Sequence, residues 1–105
     1  MVYKKECITN SVFIAIDNYN SFQTKELQLE KNLKTVLFSR TGFTKTGKLD
    51  SLGLVNLLVL IEEKINEECN ISFSLPIHEI IEDKENLLKD LESLINYLNK
   101  QINKN

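Results

Sequence analysis

The chain is poor in the residues that punctuate, cross-link or catalyse. Among its 105 residues are three glycines, one proline, two cysteines, one histidine and no tryptophan. Few turn formers disfavour a sheet of many short strands, which needs a turn signal every few residues. Two cysteines, Cys7 and Cys69, lie 62 positions apart and form neither a C-x-x-C nor a Cys/His pattern, so no metal knuckle is expected. With no secretory signal pattern at Lys4, Lys5 and the short apolar run 12–16, they are expected to be reduced thiols in a cytoplasmic protein. The apolar run 57–61, no longer than 12–16, is far short of a membrane span, so no membrane span is expected. One histidine, His78, leaves no serine–histidine–aspartate set to assemble, and it is expected at the surface or a helix start.

What is present is ordinary for one small domain spanning 1–105. Hydrophobic residues make up 42% and charged residues 27%, enough for a single core and too apolar for disorder. The net charge of −2 lacks the basic excess of a general nucleic-acid binder, so no nucleic-acid partner is expected. Charge is nonetheless divided. Residues 1–50 hold eight Lys or Arg against five acids, a balance of +3, and residues 51–105 hold five Lys against ten acids, a balance of −5. Such an acidic half either solvates helices or docks a basic partner.

Apolar spacing predicts helices. Val12, Phe13, Ile16 and Tyr19 suit a helix over 10–19, with Asn10 or Ser11 as cap. Residues 28–38 fit a helical turn or two, or a packed loop. Leu54, Leu58, Ile61 and Ile65 predict the strongest helix, 51–68, solvated at its far end by Glu62, Glu63, Lys64, Glu67 and Glu68. A short helix is expected over 77–82 after Pro76. A final helix is expected over 86–101, with Leu87, Leu88, Leu91, Leu94, Ile95 and Leu98 on its apolar face and the Tyr97 hydroxyl at its edge. Ile71, Phe73 and Leu75 alternate as in a strand but have no partner strand, so 71–75 is expected as an extended connector pinned across the core. Three longer helices and a short one predict an all-α, antiparallel four-helix bundle.

Chemistry concentrates where a loop meets the strongest helix. The stretch 39–48 carries Gly42 and Gly47 and reads as an exposed loop; Asp50 is placed to cap the helix, and Ser51 falls in its first turn. A phosphate ester on that hydroxyl would lie near unpaired backbone N–H groups and the positive end of the helix dipole.

The segment Leu49-Asp50-Ser51-Leu52, followed by an apolar helix ending in Glu62-Glu63, resembles the attachment site of acyl carrier proteins and related aminoacyl or peptidyl carriers. The likeness extends through Ile71-Ser72-Phe73 and the apolar spacing of 87–97, covering about 28–100; residues 1–27 lie outside it beyond one amphipathic helix. It implies that Ser51, flanked by Asp50, carries 4′-phosphopantetheine as a covalent cofactor. The protein would then be a carrier, not an enzyme: a cytoplasmic monomer holding an acyl or aminoacyl group as a thioester. Implied partners are a phosphopantetheinyl transferase, an acyl- or aminoacyl-loading ligase and downstream transferases. The turn after the serine, Leu52-Gly53-Leu54-Val55-Asn56, departs from fatty-acid carriers, which place acids there. The preceding loop is basic, with Arg40, Lys45 and Lys48. Both departures point to a carrier dedicated to one biosynthetic pathway. Leu52, Gly53, Val55, Asn56, Val59 and Glu62 are the expected partner-docking residues. Leu52, Val55 and Val59 fall beside the core stripe, and either pack on the loop before Ser51 or form an exposed apolar patch. The alternative is a helical protein-interaction module without a prosthetic group.

Overall fold

The computed structural model describes residues 5–38 and 51–104, apart from the side chains of Leu27 and Ser51. Its elements are α1 (Lys5–Asn20), a 3-10 turn (Lys25–Leu27), α2 (Ser51–Glu68), α3 (Ile77–Glu82), α4 (Lys84–Leu87) and α5 (Leu91–Ile102). Among the described residues there is no strand, and the fold is all-α. No described helix is long and apolar enough to cross a membrane.

The first helix begins earlier than the expected 10–19. Ile8, Val12, Ala15, Ile16 and Tyr19 repeat at helical spacing and are buried, so the apolar stripe carries the helix through Asn10 and Ser11. Ser11 is not a cap. It lies buried inside the helix, and its hydroxyl donates back to the Cys7 carbonyl at 2.7 Å.

Helix α2 buries Leu54, Leu57, Leu58, Ile61 and Ile65. It ends with Asn70 at a φ of 54°, the left-handed conformation that asparagine tolerates better than most residues. The Ile71 N–H then reaches back to the Asn66 carbonyl at 3.3 Å, closing the end of the helix in a Schellman arrangement.

The two cysteines are bonded to each other, with Cα atoms 5.9 Å apart. This corrects the expectation of two reduced thiols. The reason is placement: the fold sets Cys7 in the first turns of α1 against Cys69, just past the end of α2. At the other end of the pair, residues after α1 share a cleft with the first half of α2. The helices therefore run antiparallel.

Residues 28–38 form the packed loop, not helix. Asn20 anchors its start, donating to the Leu29 carbonyl at 2.8 Å and accepting from the Leu29 N–H at 2.7 Å. Leu29 and Leu37 enter the core. The loop then docks on the start of α5. There the Leu91 N–H donates to the Thr35 carbonyl at 2.9 Å, and the Glu92 N–H to the Leu33 carbonyl at 3.0 Å.

That docking breaks the helix expected over 86–101. The Leu88 carbonyl accepts from the Leu37 and Phe38 N–H groups at 3.1 and 2.8 Å. Asp90 turns extended and caps α5, its carboxylate accepting from the Ser93 N–H at 2.8 Å. Burial opposes ionisation of Asp90, but hydrogen bonding to Ser93 together with the nearby positive charges of Lys89 and Lys34 holds the carboxyl below its ordinary 3.8. Leu88, Leu91, Leu94, Ile95 and Leu98 still reach the core from either side of the break.

The connector 71–75 is extended, as its pattern implies, and side chains of α2 hold it. Asn66 donates to the Phe73 carbonyl and accepts from its N–H; Glu62 accepts from the Leu75 N–H at 2.7 Å. Leu75 is buried, with Ile71 and Phe73 packed at the core margin.

Candidate functional site

The site is built on the outer face of α2. Once Leu54, Leu57, Leu58, Ile61 and Ile65 are buried, helical periodicity sends Leu52, Asn56 and Val59 outward. Leu52 is 69% exposed and Val59 44% exposed; Val55 and Gly53 are half-buried beside them. Leu52 and Val59 therefore take the exposed-patch alternative. From Ser51 to Ile61 the helix carries no charged residue.

Ser51 is the first residue of α2. Its backbone N–H points toward the start of the helix, at the positive end of the helix dipole. Asp50, with its expected capping role, lies outside the described residues, as do Arg40, Lys45 and Lys48 of the basic loop.

A cleft of about 340 Å³ opens between the end of α1 and this face, lined by Tyr19, Phe22, Gln23, Asn56, Val59 and Leu60. Phe22 stands 82% exposed at its edge. Sequence reasoning did not single out Phe22; the available signal was an aromatic residue set in the polar run 20–24.

Glu62, expected to meet partners, has one carboxylate oxygen committed to the Leu75 N–H. Exposed Glu63, one position on, is freer to face solvent. His78 is exposed on α3 and pairs with Glu82 at 2.9 Å. Tyr97 lies at the margin of the core with its hydroxyl donating to Glu79 at 3.2 Å; partial burial, then that contact, raises it above its ordinary 10.0. Among the described residues no group of three or more His, Cys, Asp or Glu is arranged to hold a metal ion.

No protein-family model matches the chain, and neither curated proteins nor solved structures give a match.

Proposed function

We propose that this protein is an acyl carrier protein that holds an acyl or aminoacyl group as a thioester on 4′-phosphopantetheine, attached through Ser51. The observation that carries the reading is the start of α2 at Ser51, with the uncharged, partly exposed surface of Leu52, Val55, Asn56 and Val59 following it. A hydroxyl at that position offers an ester oxygen beside helix N–H groups, which favour the negative charge of a phosphodiester. When bound, the group supplies a thiol on a long flexible tether, so one cargo can visit several enzymes at raised effective concentration.

The chain's own residues would do three things. The Ser51 oxygen attacks the pantetheine-bearing phosphorus of coenzyme A and gives up its hydroxyl proton as the pyrophosphate P–O bond breaks and adenosine 3′,5′-bisphosphate leaves. Leu52, Val55 and Val59 offer an apolar surface to the phosphopantetheinyl transferase, the loading ligase and the downstream transferases. Buried Leu54, Leu58, Ile61 and Ile65 fix the direction of α2 within what we read as a four-helix bundle of acyl-carrier type. The absence of charge after Ser51 supports a carrier serving one dedicated pathway, and the role is that of a substrate, not an enzyme.

Intact-protein mass spectrometry after incubation with coenzyme A and a promiscuous phosphopantetheinyl transferase tests the proposal. The expected result is the gain of one phosphopantetheine group. An unchanged mass under conditions that modify a control carrier would overturn it. A helical interaction module without a prosthetic group is the second reading, favoured by exposed Phe22 beside Val59. It predicts an unmodified protein whose Ser51→Ala variant still binds its partner.

A further inference from the structure

The bond between Cys7 and Cys69 lies at the end of the α1–α2 pair remote from Ser51, about 27 Å along α2 at 1.5 Å per residue. Both cysteines are only half-buried, and Cys7 lines an open surface cleft of about 280 Å³ with Glu6, Asn10 and Glu68. Cys69 packs against the core, its Sγ 3.8 Å from the buried Ser11 hydroxyl, so a reductant approaches the bond from the Cys7 side, without the core opening. Toward the start of α1 the apolar seam thins: Ile8 is buried, whereas Lys5 and Glu6 are exposed. Farther along, Val12, Ala15, Ile16 and Tyr19 continue the seam without help from the bond. Glu6 and Glu68, both exposed, face the same cleft, and their like charges oppose closure of this end.

We propose that Cys7–Cys69 is a reversible redox latch that fastens the start of α1 to the end of α2 and opens in the folded protein. Opening consumes two thiols of a reductant such as glutathione or a dithiol protein. One thiolate attacks a sulfur of the bond and forms a mixed disulfide, and the other cysteine leaves as a thiolate and takes up a proton. A second reductant thiolate then attacks the mixed disulfide, releasing the remaining cysteine and an oxidised reductant. Two electrons pass to the protein in all. Opening lengthens the freedom of the unfolded chain by removing a closed loop with a sequence separation of 62 residues. It also frees the first turns of α1, while the α2 surface after Ser51 keeps its place. The latch does not depend on the carrier reading.

The test reduces the full, oxidised chain with a glutathione series in the absence and presence of sub-denaturing urea. It follows intact mass, far-ultraviolet circular dichroism, melting temperature and amide exchange. The expected result is a gain of two hydrogens at a rate indifferent to urea, with helix content retained. The melting temperature falls by about 10–20 °C. Exchange quickens over 8–11, the first amides of α1 that have helical acceptors, and stays slow over 55–65, and Cys7→Ser matches the reduced chain. Reduction that proceeds only as the protein unfolds, global loss of helix on reduction, unchanged exchange at the start of α1, or a chain that oxidised glutathione cannot close would each overturn it.

Discussion

Asn66 holds Phe73 by both of its backbone polar groups: its side-chain amide donates to the Phe73 carbonyl at 3.0 Å and accepts from the Phe73 N–H at 2.7 Å. The same grip recurs between Asn20 and Leu29 after α1. In a chain with one proline and three glycines, asparagine side chains take over the work of shaping the connections. Each satisfies a donor and an acceptor that an extended, partly buried segment would otherwise leave unpaired.

Asn66→Ala removes two partly buried hydrogen bonds at once and is expected to cost about 2 kcal/mol. Asn66→Asp keeps the acceptor, loses the donor and sets a carboxylate against the Phe73 carbonyl, so it recovers little. Urea denaturation with an unchanged m-value is the check. Full stability in Asn66→Ala would show that the connector is held by Ile71, Phe73 and Leu75 alone.

Glu62 separates a structural from a docking role. Its carboxylate accepts from the Leu75 N–H. Glu62→Ala is therefore expected to lose about 1–2 kcal/mol, as for a hydrogen bond to a charged group near the surface. Glu62→Gln retains an acceptor oxygen and should lose less than half as much. Equal stability of the three proteins in thermal unfolding would contradict the contact.

Asp90 gives α5 a pH-dependent cap. Its carboxyl lies below the ordinary 3.8, so the ionised form is favoured by folding. The cap's contribution is complete above pH 3.8 and is lost as pH falls through the lower folded value. Asp90→Ala should cost about 1 kcal/mol at pH 7, and Asp90→Ser should restore most of it. Because the serine cap does not ionise in this range, Asp90→Ser should close the gap to the native protein as pH falls toward 2. A constant difference between the two across pH 7 to 2 would contradict this.

The outer face of α2 bears on partners more than on folding. Leu52 and Val59 are exposed, so Leu52→Asp and Val59→Asp should each change stability by less than about 0.5 kcal/mol. If this face receives the transferase, each should lower kcat/KM for modification by roughly tenfold or more, the size of a moderate interface contact. Unchanged modification rates in both variants would move the docking surface elsewhere.

The core of α2 was legible because one face of a long helix must repeat at Leu54, Leu58, Ile61 and Ile65, and all four are buried. The connector was legible from the alternation Ile71, Phe73, Leu75. Features set by distant residues were not. The break before α5 depends on Leu37 and Phe38 donating to the Leu88 carbonyl, contacts across 51 and 50 positions that apolar spacing cannot register. Ser11 has a capping residue's chemistry, but Ile8 behind it extends the helical stripe, and burial prevailed over cap preference. The Cys7–Cys69 bond follows from the antiparallel run of α1 and α2, which spacing between two cysteines does not encode. At the site, periodicity places Leu52 and Val59 off the core stripe but leaves open whether the preceding loop covers them; their exposure is a finding of the structure. The role of Asp50 falls outside the described residues.

Everything proposed for this surface rests on the Ser51 oxygen, and tandem mass spectrometry of the transferase-treated protein reads that atom directly. A single phosphopantetheine group is expected, localised to Ser51 in its proteolytic peptide and absent from Ser51→Ala treated alongside. A group found on another residue, a group that persists in Ser51→Ala, or no group at all would contradict it.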